Sequence, residues 1–176
     1  MVESEKRVLR YVVEHYEAEL SEWTLCEYTH MLLILGNLYA DPVNNTPETT
    51  YAHRELVITN FPFVDKFNKG TLANDELDSL RNTERFVNLC KSLKKSAPCY
   101  VTSLSFQQLT SSSESSEGFQ DDTEYIRSLL LSKLKNEEDL ANVCFMDFRA
   151  EAELTPCDAK TFDFVVFGGI LGDHPP

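Results

Sequence analysis

The densest group of residues with binding chemistry lies at the end of the sequence, in Gly168-Gly169-Ile170-Leu171-Gly172-Asp173-His174-Pro175-Pro176. Three glycines within five residues allow the backbone to adopt positive φ angles and to approach a ligand closely. The N–H and C=O groups of such a loop can bind an adenine edge or a carboxylate. The same pattern is typical of a tight strand-to-helix turn without a ligand, because short glycine motifs are common.

The preceding sequence predicts the elements that position this segment. Apolar strands are predicted at 7–13, 99–104, 143–146 and 164–167, and helices at 21–35, 83–95 and 122–135. Strands that alternate with amphipathic helices indicate an α/β fold with a mostly parallel sheet flanked by helices. Ligands of such sheets bind beyond the carboxyl ends of the strands, and the glycine segment follows such an end.

Local signals set the expected boundaries of these elements. Ser21 is a good N-cap for the first helix, and Gly36 is expected just after its last residue. Residues 56–63 fit either a short strand or a packed loop, because Pro62 disfavours a strand. Thr155 is expected to cap a helical turn that a proline opens.

Composition and charge restrict the class of protein. The length of 176 residues suits one domain, and no apolar run is long enough for a membrane span or a secretory signal. The formal net charge of −13 disfavours nucleic acid and favours a basic partner, although solubility alone also explains it. The cysteines are odd in number and contain no C-x-x-C pair, which predicts reduced intracellular thiols and no metal site: Cys26, Cys90, Cys99, Cys144 and Cys157.

Three stretches resemble one protein family. Phe164 to Pro176 is similar to the signature of a small SPOUT-class family found in archaea and fungi. Glu14-His15 with Ser21-Glu22-Trp23 and Glu27-Tyr28 resembles the start of that family, and 143–167 resembles its middle. The fungal branch consists of S-adenosylmethionine (SAM)-dependent methyltransferases that modify an arginine of a small-subunit ribosomal protein.

The resemblance implies a single SPOUT-like domain over 1–176 with a C-terminal trefoil knot. The knot tail is expected to be missing or incomplete in this chain, residues 40–97 to be an insertion, and 110–121 to be a mobile loop. The cofactor is expected to be SAM, with S-adenosylhomocysteine (SAH) as product. Its implied contacts lie in two loops: Thr102, Ser103 and Leu104, then Phe167, Gly168, Gly169, Ile170, Leu171, Gly172, Asp173, His174 and Pro175.

Methyl transfer to arginine requires a group that accepts a proton. Deprotonating a guanidinium at pH 7 costs on the order of 7 kcal/mol, because its pKa is at least five units higher. Carboxylates can orient the guanidinium and accept that proton as the new bond forms. Candidates at predicted strand ends and helix starts are Glu14, Asp173, Glu22 and Asp147.

Each candidate also has a structural interpretation. Glu22 can stabilise the first turn of its helix, and Asp147 can pair with Arg149. His15 fits either a base or a hydrogen-bonded loop anchor, and Trp23 fits either core packing or a wall of the substrate site.

The leading hypothesis is therefore a cytoplasmic protein arginine methyltransferase with a basic ribosomal protein as substrate, without a membrane or a required nucleic acid. The alternatives are a SPOUT methyltransferase of tRNA or rRNA, and a non-catalytic binding module. The sequence leaves open whether the chain is a monomer or a knot-mediated homodimer.

Overall fold

A computed structural model describes residues 7–40, 51–62, 74–110, 122–133, 142–147, 149–155, 158 and 161–168. The strands are β1 (Arg7–Glu14), β2 (Tyr51–Thr59), β3 (Cys99–Val101), β4 (Val143–Met146) and β5 (Phe164–Phe167). The helices are α1 (Glu22–Ala40), α2 (Asn74–Leu93), α3 (Phe106–Thr110) and α4 (Thr123–Lys133). None of the helices in these ranges is both long enough and apolar enough to cross a membrane.

The five strands form one sheet in the order β3-β2-β1-β5-β4, and each strand pair is parallel. β1 lies at the centre and pairs with β2 on one side and β5 on the other. Its register places Val13 beside Ile58 of β2 and Phe167 of β5. The predicted α/β fold with a mostly parallel sheet flanked by helices is confirmed.

Alternate residues of β1 and β2 face opposite layers of helices, as the two-residue period of a strand requires. Val13 and Ile58 belong to the core under α1 and α2, together with Tyr28 and Phe86. Val12, Val57 and Val166 belong to the core under α3 and α4: its other buried members include Phe106, Leu109, Ile126, Leu130 and Phe164. The continuous apolar strands are thus explained by burial on both faces.

A buried ion pair joins β1 to β2 within this sheet. Arg10 Nε donates to Glu55 Oε2 at 2.8 Å, and the two side chains are only 7% and 10% exposed. The Arg10 guanidinium also lies 5.5 Å from the centre of the Phe164 ring on β5. Because the three residues lie on three adjacent strands, they connect the middle of the sheet through side chains as well as through its backbone hydrogen bonds.

The first helix begins as predicted and ends later. Ser21 Oγ accepts the Thr24 amide at 3.1 Å, which confirms the N-cap. Gly36 was expected beyond the last residue of the helix, but α1 continues through it to Ala40. A helical glycine costs about 1 kcal/mol relative to alanine, so the buried contacts of Leu32 and Leu35 outweigh it.

Three other boundaries differ from the expected ones. Residues 56–63 contain a strand, but β2 starts at Tyr51 and ends three residues before Pro62, so the proline does not interrupt it. α2 starts at Asn74, nine residues earlier than predicted, and α3 was not predicted. β4 has the predicted bounds, but it is an edge strand on which only Val143 is buried.

The other domain predictions stand as predictions. β2 and the whole of α2 come from the proposed insertion at 40–97, and β2 lies between β1 and β3. Residues 111–121 of the proposed mobile loop lie outside the described residues, and Thr110 is the last residue of α3. The C-terminal trefoil knot also stays a prediction, because the described residues do not include the C-terminal segment.

Candidate active site

The strand order places the carboxyl ends of β1 and β5 side by side at one edge of the sheet. From β1 the chain adds β2 and β3 on one side of the sheet, and then places β4 and β5 on the other side. Ligands of open parallel sheets bind beyond the carboxyl ends of the strands, and the crevice is the space beyond the ends of β1 and β5. β1 ends there at Glu14, and β5 ends at Phe167, followed by Gly168.

Glu14 holds the start of α3 in this part of the molecule. Its Oε2 accepts the backbone amide of Phe106 at 3.2 Å, across 92 residues of sequence. This contact satisfies a helix amide that has no partner inside the helix. The hydrogen bond fixes the Glu14 carboxylate at the end of β1. Because the residue is only partly buried, it remains in contact with solvent.

His15 follows Glu14 and points into the core. The residue is 1% exposed, and its Nδ1 lies 2.8 Å from the hydroxyl of Tyr28 on α1. Burial lowers the pKa of His15 below its ordinary value, and the nearby Glu17 carboxylate opposes that effect only in part. Burial also raises the pKa of Tyr28. Both side chains are therefore neutral at pH 7.

Tyr16 lies against the start of the glycine segment. A Cβ atom added to Gly168 would lie 3.8 Å from Cε2 of the Tyr16 ring, which is an ordinary van der Waals distance. The Tyr16 residue is 63% exposed, and Trp23 in the first turn of α1 is 56% exposed. The exposed Tyr16 ring and the exposed Gly168 thus lie side by side beyond the ends of β1 and β5.

The turn after Tyr16 carries acidic side chains and is fixed to α2. Glu17 accepts a hydrogen bond from the Thr24 hydroxyl at 3.0 Å. The amide of Leu20 donates to Ser79 Oγ at 2.9 Å, and the carbonyl of Leu20 accepts from the Asn82 amide group at 3.0 Å. Two buried polar side chains of α2 thus hold the far end of this turn.

Glu22 lies at the start of α1 and forms an ion pair with α2. Its carboxylate oxygens accept from Arg85 Nη1 at 2.8 and 3.1 Å, and both side chains are more than 60% exposed. The pair borders a cleft of about 630 Å³ between the start of α1 and α2. A carboxylate already paired with a guanidinium is less available to a substrate, and the catalytic role of Glu22 stays a prediction.

Asp147 follows β4, one strand beyond β5. Its Oδ1 accepts the backbone amide of Arg149 at 2.8 Å, which is a local turn interaction. The residue is exposed. Its role in catalysis stays a prediction.

The loop of Thr102, Ser103 and Leu104 lies at the carboxyl end of β3. The fully buried Thr102 hydroxyl is hydrogen-bonded to that of Thr123 and accepts the Leu104 amide at 3.2 Å. β2 and β1 separate this loop from β5, so it lies three strand spacings, or roughly 14 Å, from Gly168. A cofactor that contacts both loops has to extend across the ends of β1 and β2.

The remaining predicted site residues lie outside the described residues: Gly169, Ile170, Leu171, Gly172, Asp173, His174 and Pro175. Of the predicted site, the structure brings together Glu14, Phe167 and Gly168. The described residues contain no group of three His, Cys, Asp or Glu side chains suited to a metal ion.

Asn60 is a site residue that sequence reasoning missed. It follows β2 with a φ of 53°, which an asparagine tolerates better than most residues. Its Nδ2 donates to the His15 carbonyl at 2.6 Å, and its amide donates to the Leu104 carbonyl at 2.8 Å. Asn60 therefore ties the exits of β1, β2 and β3 together. An Asn followed by Phe-Pro at a strand end was the available signal.

Known proteins resemble this chain over most of its length. A family model described as "Protein arginine N-methyltransferase SFM1-like" matches residues 75–176. Protein arginine N-methyltransferase SFM1 of Saccharomyces cerevisiae is 28% identical over 169 residues, which cover 96% of this chain and 53% of that protein. The chain thus spans about half the length of the curated relative that it matches.

Crystal structures of the yeast arginine methyltransferase SFM1 are also similar. The complex with SAM is 24% identical with a TM-score of 0.47, and it aligns with 99% of this chain and 53% of its own. The complex with SAH is 22% identical with a TM-score of 0.43, over 95% of this chain and 53% of its own. Because the family model covers more than half of the sequence, the chain belongs to the SFM1-like family of protein arginine N-methyltransferases.

Proposed function

We propose that this chain carries the cofactor crevice of a SAM-dependent protein arginine N-methyltransferase whose substrate is a basic small-subunit ribosomal protein. The observation that carries the proposal is the position of Gly168. The first glycine of the family-like segment follows the end of β5 beside the end of β1, at the edge where an open parallel sheet binds its ligand. Membership of the SFM1-like family supports the same activity.

The described residues fit a nucleoside cofactor at this position. Gly168 is exposed and has no side chain, so a ligand can approach its backbone closely. The adjacent Tyr16 ring offers an aromatic surface. SAM would supply an electrophilic methyl group there. We propose that Phe167, Gly168 and the segment up to Pro175 hold it, and that Thr102, Ser103 and Leu104 form a second contact loop.

Glu14 is the described carboxylate best placed to act on a guanidinium. It lies at the end of the strand beside the glycine segment, and the Phe106 amide fixes one of its oxygens. The other oxygen can accept a guanidinium N–H, orient the nucleophilic nitrogen and receive the proton. Asp173 is proposed as its partner on the sequence alone, while Glu22 and Asp147 are weaker candidates because both have structural contacts.

The proposed partner follows from charge. A formal net charge of −13 attracts a lysine- and arginine-rich protein and repels RNA at long range. A ribosomal protein substrate would place the enzyme in the cytosol. The competing function is methylation of tRNA or rRNA, and a direct comparison of the substrates separates the two.

Calorimetric titration of SAM and SAH tests the cofactor site first. The chain is compared with Gly169→Trp, which fills the proposed loop, and with Gly36→Ala, a matched glycine replacement inside α1. We expect binding by the chain and by Gly36→Ala, and a loss of at least about tenfold in affinity for Gly169→Trp. Equal binding by all three proteins would remove the glycine segment from the site, and no binding would remove the cofactor assignment.

Methyl transfer from radiolabelled SAM then tests the substrate. Purified small ribosomal subunit proteins and deproteinised ribosomal RNA are offered separately to the full gene product. Label on an arginine of a basic protein is the expected outcome. Label on RNA alone would replace the proposed substrate by the RNA alternative.

A further inference from the structure

We propose that His15 is a positioning residue that holds the turn carrying Tyr16 against Gly168, and thereby shapes the crevice between β1 and β5. The inference rests on the proposed function for the identity of the crevice ligand. It assigns His15 a role in the geometry of the site and none in proton transfer.

The backbone of His15 is held by hydrogen bonds at both its amide and its carbonyl. Its amide donates to the Thr59 carbonyl at 3.0 Å, which extends the β1–β2 pairing by one residue. Its carbonyl accepts from Asn60 Nδ2 at 2.6 Å. The chain therefore leaves the sheet at a defined point, and the direction of the following residue, Tyr16, is determined there.

The side chain of His15 fixes the same point from inside the core. The ring packs between Tyr28 of α1 and Phe61 after β2, with ring centres 6.0 and 6.4 Å away. Nδ1 and the Tyr28 hydroxyl form a hydrogen bond whose direction depends on the tautomer of the ring. The carbonyls of Glu17 and Glu19 lie near enough to favour a proton on the ring, although Nε2 makes no hydrogen bond.

These contacts place the ring under the turn at residues 17–19. The ring anchors the residue at which the turn begins, immediately before Tyr16, through Tyr28 and Phe61. The same ring is 1% exposed and faces α1, so it touches neither solvent nor the crevice. A group in that position cannot exchange a proton with a substrate, but its loss would release the turn and Tyr16.

Hydrogen–deuterium exchange measured by mass spectrometry tests the proposal on the full chain. The variants are His15→Gln, which keeps a polar side chain, and Tyr28→Phe, which removes only the hydroxyl partner. Tyr100→Phe is the matched control, because it removes a buried tyrosine hydroxyl from the opposite face of the sheet. Exchange is followed in peptides covering 15–21, which contain the hydrogen-bonded amides of His15 and Leu20.

We expect exchange in 15–21 to be about fivefold faster in Tyr28→Phe and faster still in His15→Gln, with no change in Tyr100→Phe. Because His15 can bind a proton, the exchange rate in 15–21 should also depend on pH. After correction for intrinsic exchange, the wild-type turn should open more at pH 5.5 than at pH 7.5. His15→Gln should show no such difference, since Tyr28 and Glu17 are the other titratable groups that face the ring.

SAH affinity connects the turn to the crevice. Faster exchange together with a several-fold weaker SAH affinity in both variants supports the proposal. Unchanged exchange in 15–21 overturns it whatever the SAH result, and faster exchange with unchanged affinity removes the role in shaping the crevice. If the wild-type chain binds no SAH, the proposed function fails, and the exchange data alone decide the role of His15.

Discussion

Individual residues of the site differ in how far sequence could assign them. The sequence left His15 open between a base and an anchor, because both roles fit a histidine after a strand. The Tyr28 hydroxyl and the depth of burial decide for the anchor, and these depend on how α1 packs on the sheet. Glu14 was identified from its place at a strand end, but its contact with the Phe106 amide depends on a helix that was not predicted.

His15 makes stability depend on pH. Its pKa is lowered in the folded protein, so the unfolded chain binds the proton first as the pH falls below about 6.5. The free energy of unfolding should therefore decrease as the pH falls from 6.5 toward the folded pKa, and should be independent of this group above pH 7. Urea unfolding of wild type and His15→Gln at pH 5.5 and 7.5 measures the effect. The carboxylates change the unfolding free energy of both proteins alike, so the difference between the proteins reports mainly on His15. An equal decrease in both proteins would contradict the prediction.

Glu14→Gln should separate catalysis from structure. The amide oxygen of glutamine can still accept the Phe106 N–H, so the stability loss should stay below about 1 kcal/mol. Methyl transfer should fall by about 10²-fold or more, because an amide cannot accept the guanidinium proton. Single-turnover rates and urea unfolding check the two parts. Glu22→Gln is the control with an exposed carboxylate. An equal rate loss in that variant would show that the effect is not specific to Glu14.

At the level of elements, sequence predicted those with a clear local pattern. β1, β5 and α4 have continuous apolar or helical spacing and were placed within a few residues. Residues 56–63 were left undecided because of Pro62, and the polar first half of β2 was not predicted as strand. Glu55 is buried there beside its partner Arg10, 45 residues away. When a charged residue is buried because a partner distant in sequence neutralises it, the strand shows no periodic apolar pattern at that position.

The Arg10–Glu55 pair should be costly to break. Glu55→Ala leaves a buried guanidinium without its carboxylate, which typically costs about 3–5 kcal/mol. Arg85→Ala removes an exposed ion pair and should cost less than about 1 kcal/mol. Urea unfolding of both variants gives the comparison. Similar losses would show that the buried pair contributes no more than a surface pair.

Gly36→Ala should stabilise α1. The glycine lies inside the helix, and an added Cβ would meet the Ala97 Cβ at 3.8 Å, an ordinary contact. Alanine in a helix interior is favoured by about 0.5–1 kcal/mol, so the melting temperature should rise by a few degrees. Calorimetry measures the shift, and a lower melting temperature would show that the neighbouring turn at Ala97 cannot accept a methyl group.

At the scale of the whole molecule, charge and fold class followed from the sequence, whereas the strand order did not. Composition gives the net charge directly, but no local pattern states that β1 lies between β2 and β5. The position of the crevice depends on that order. The glycine segment could be named from its residues, and its location beside Tyr16 required the fold.

The net charge predicts a salt effect on substrate binding. If the substrate is a basic protein, raising NaCl from 50 to 500 mM should raise its KM severalfold, because the Debye length falls from above 10 Å to below it. The SAH affinity should change little. A KM that does not change with salt would contradict the role of the net charge of −13 in substrate binding.

The central position of β1 has a consequence for synthesis on the ribosome. Tyr11 pairs with Val165, 154 residues later in the chain. At a translation rate of about 5–20 residues per second, one edge of β1 waits roughly 8–30 s for its neighbour. An unpaired apolar strand is a template for pairing with other chains. The nascent protein therefore has a period of exposure in which a chaperone that covers β1 would protect it from aggregation.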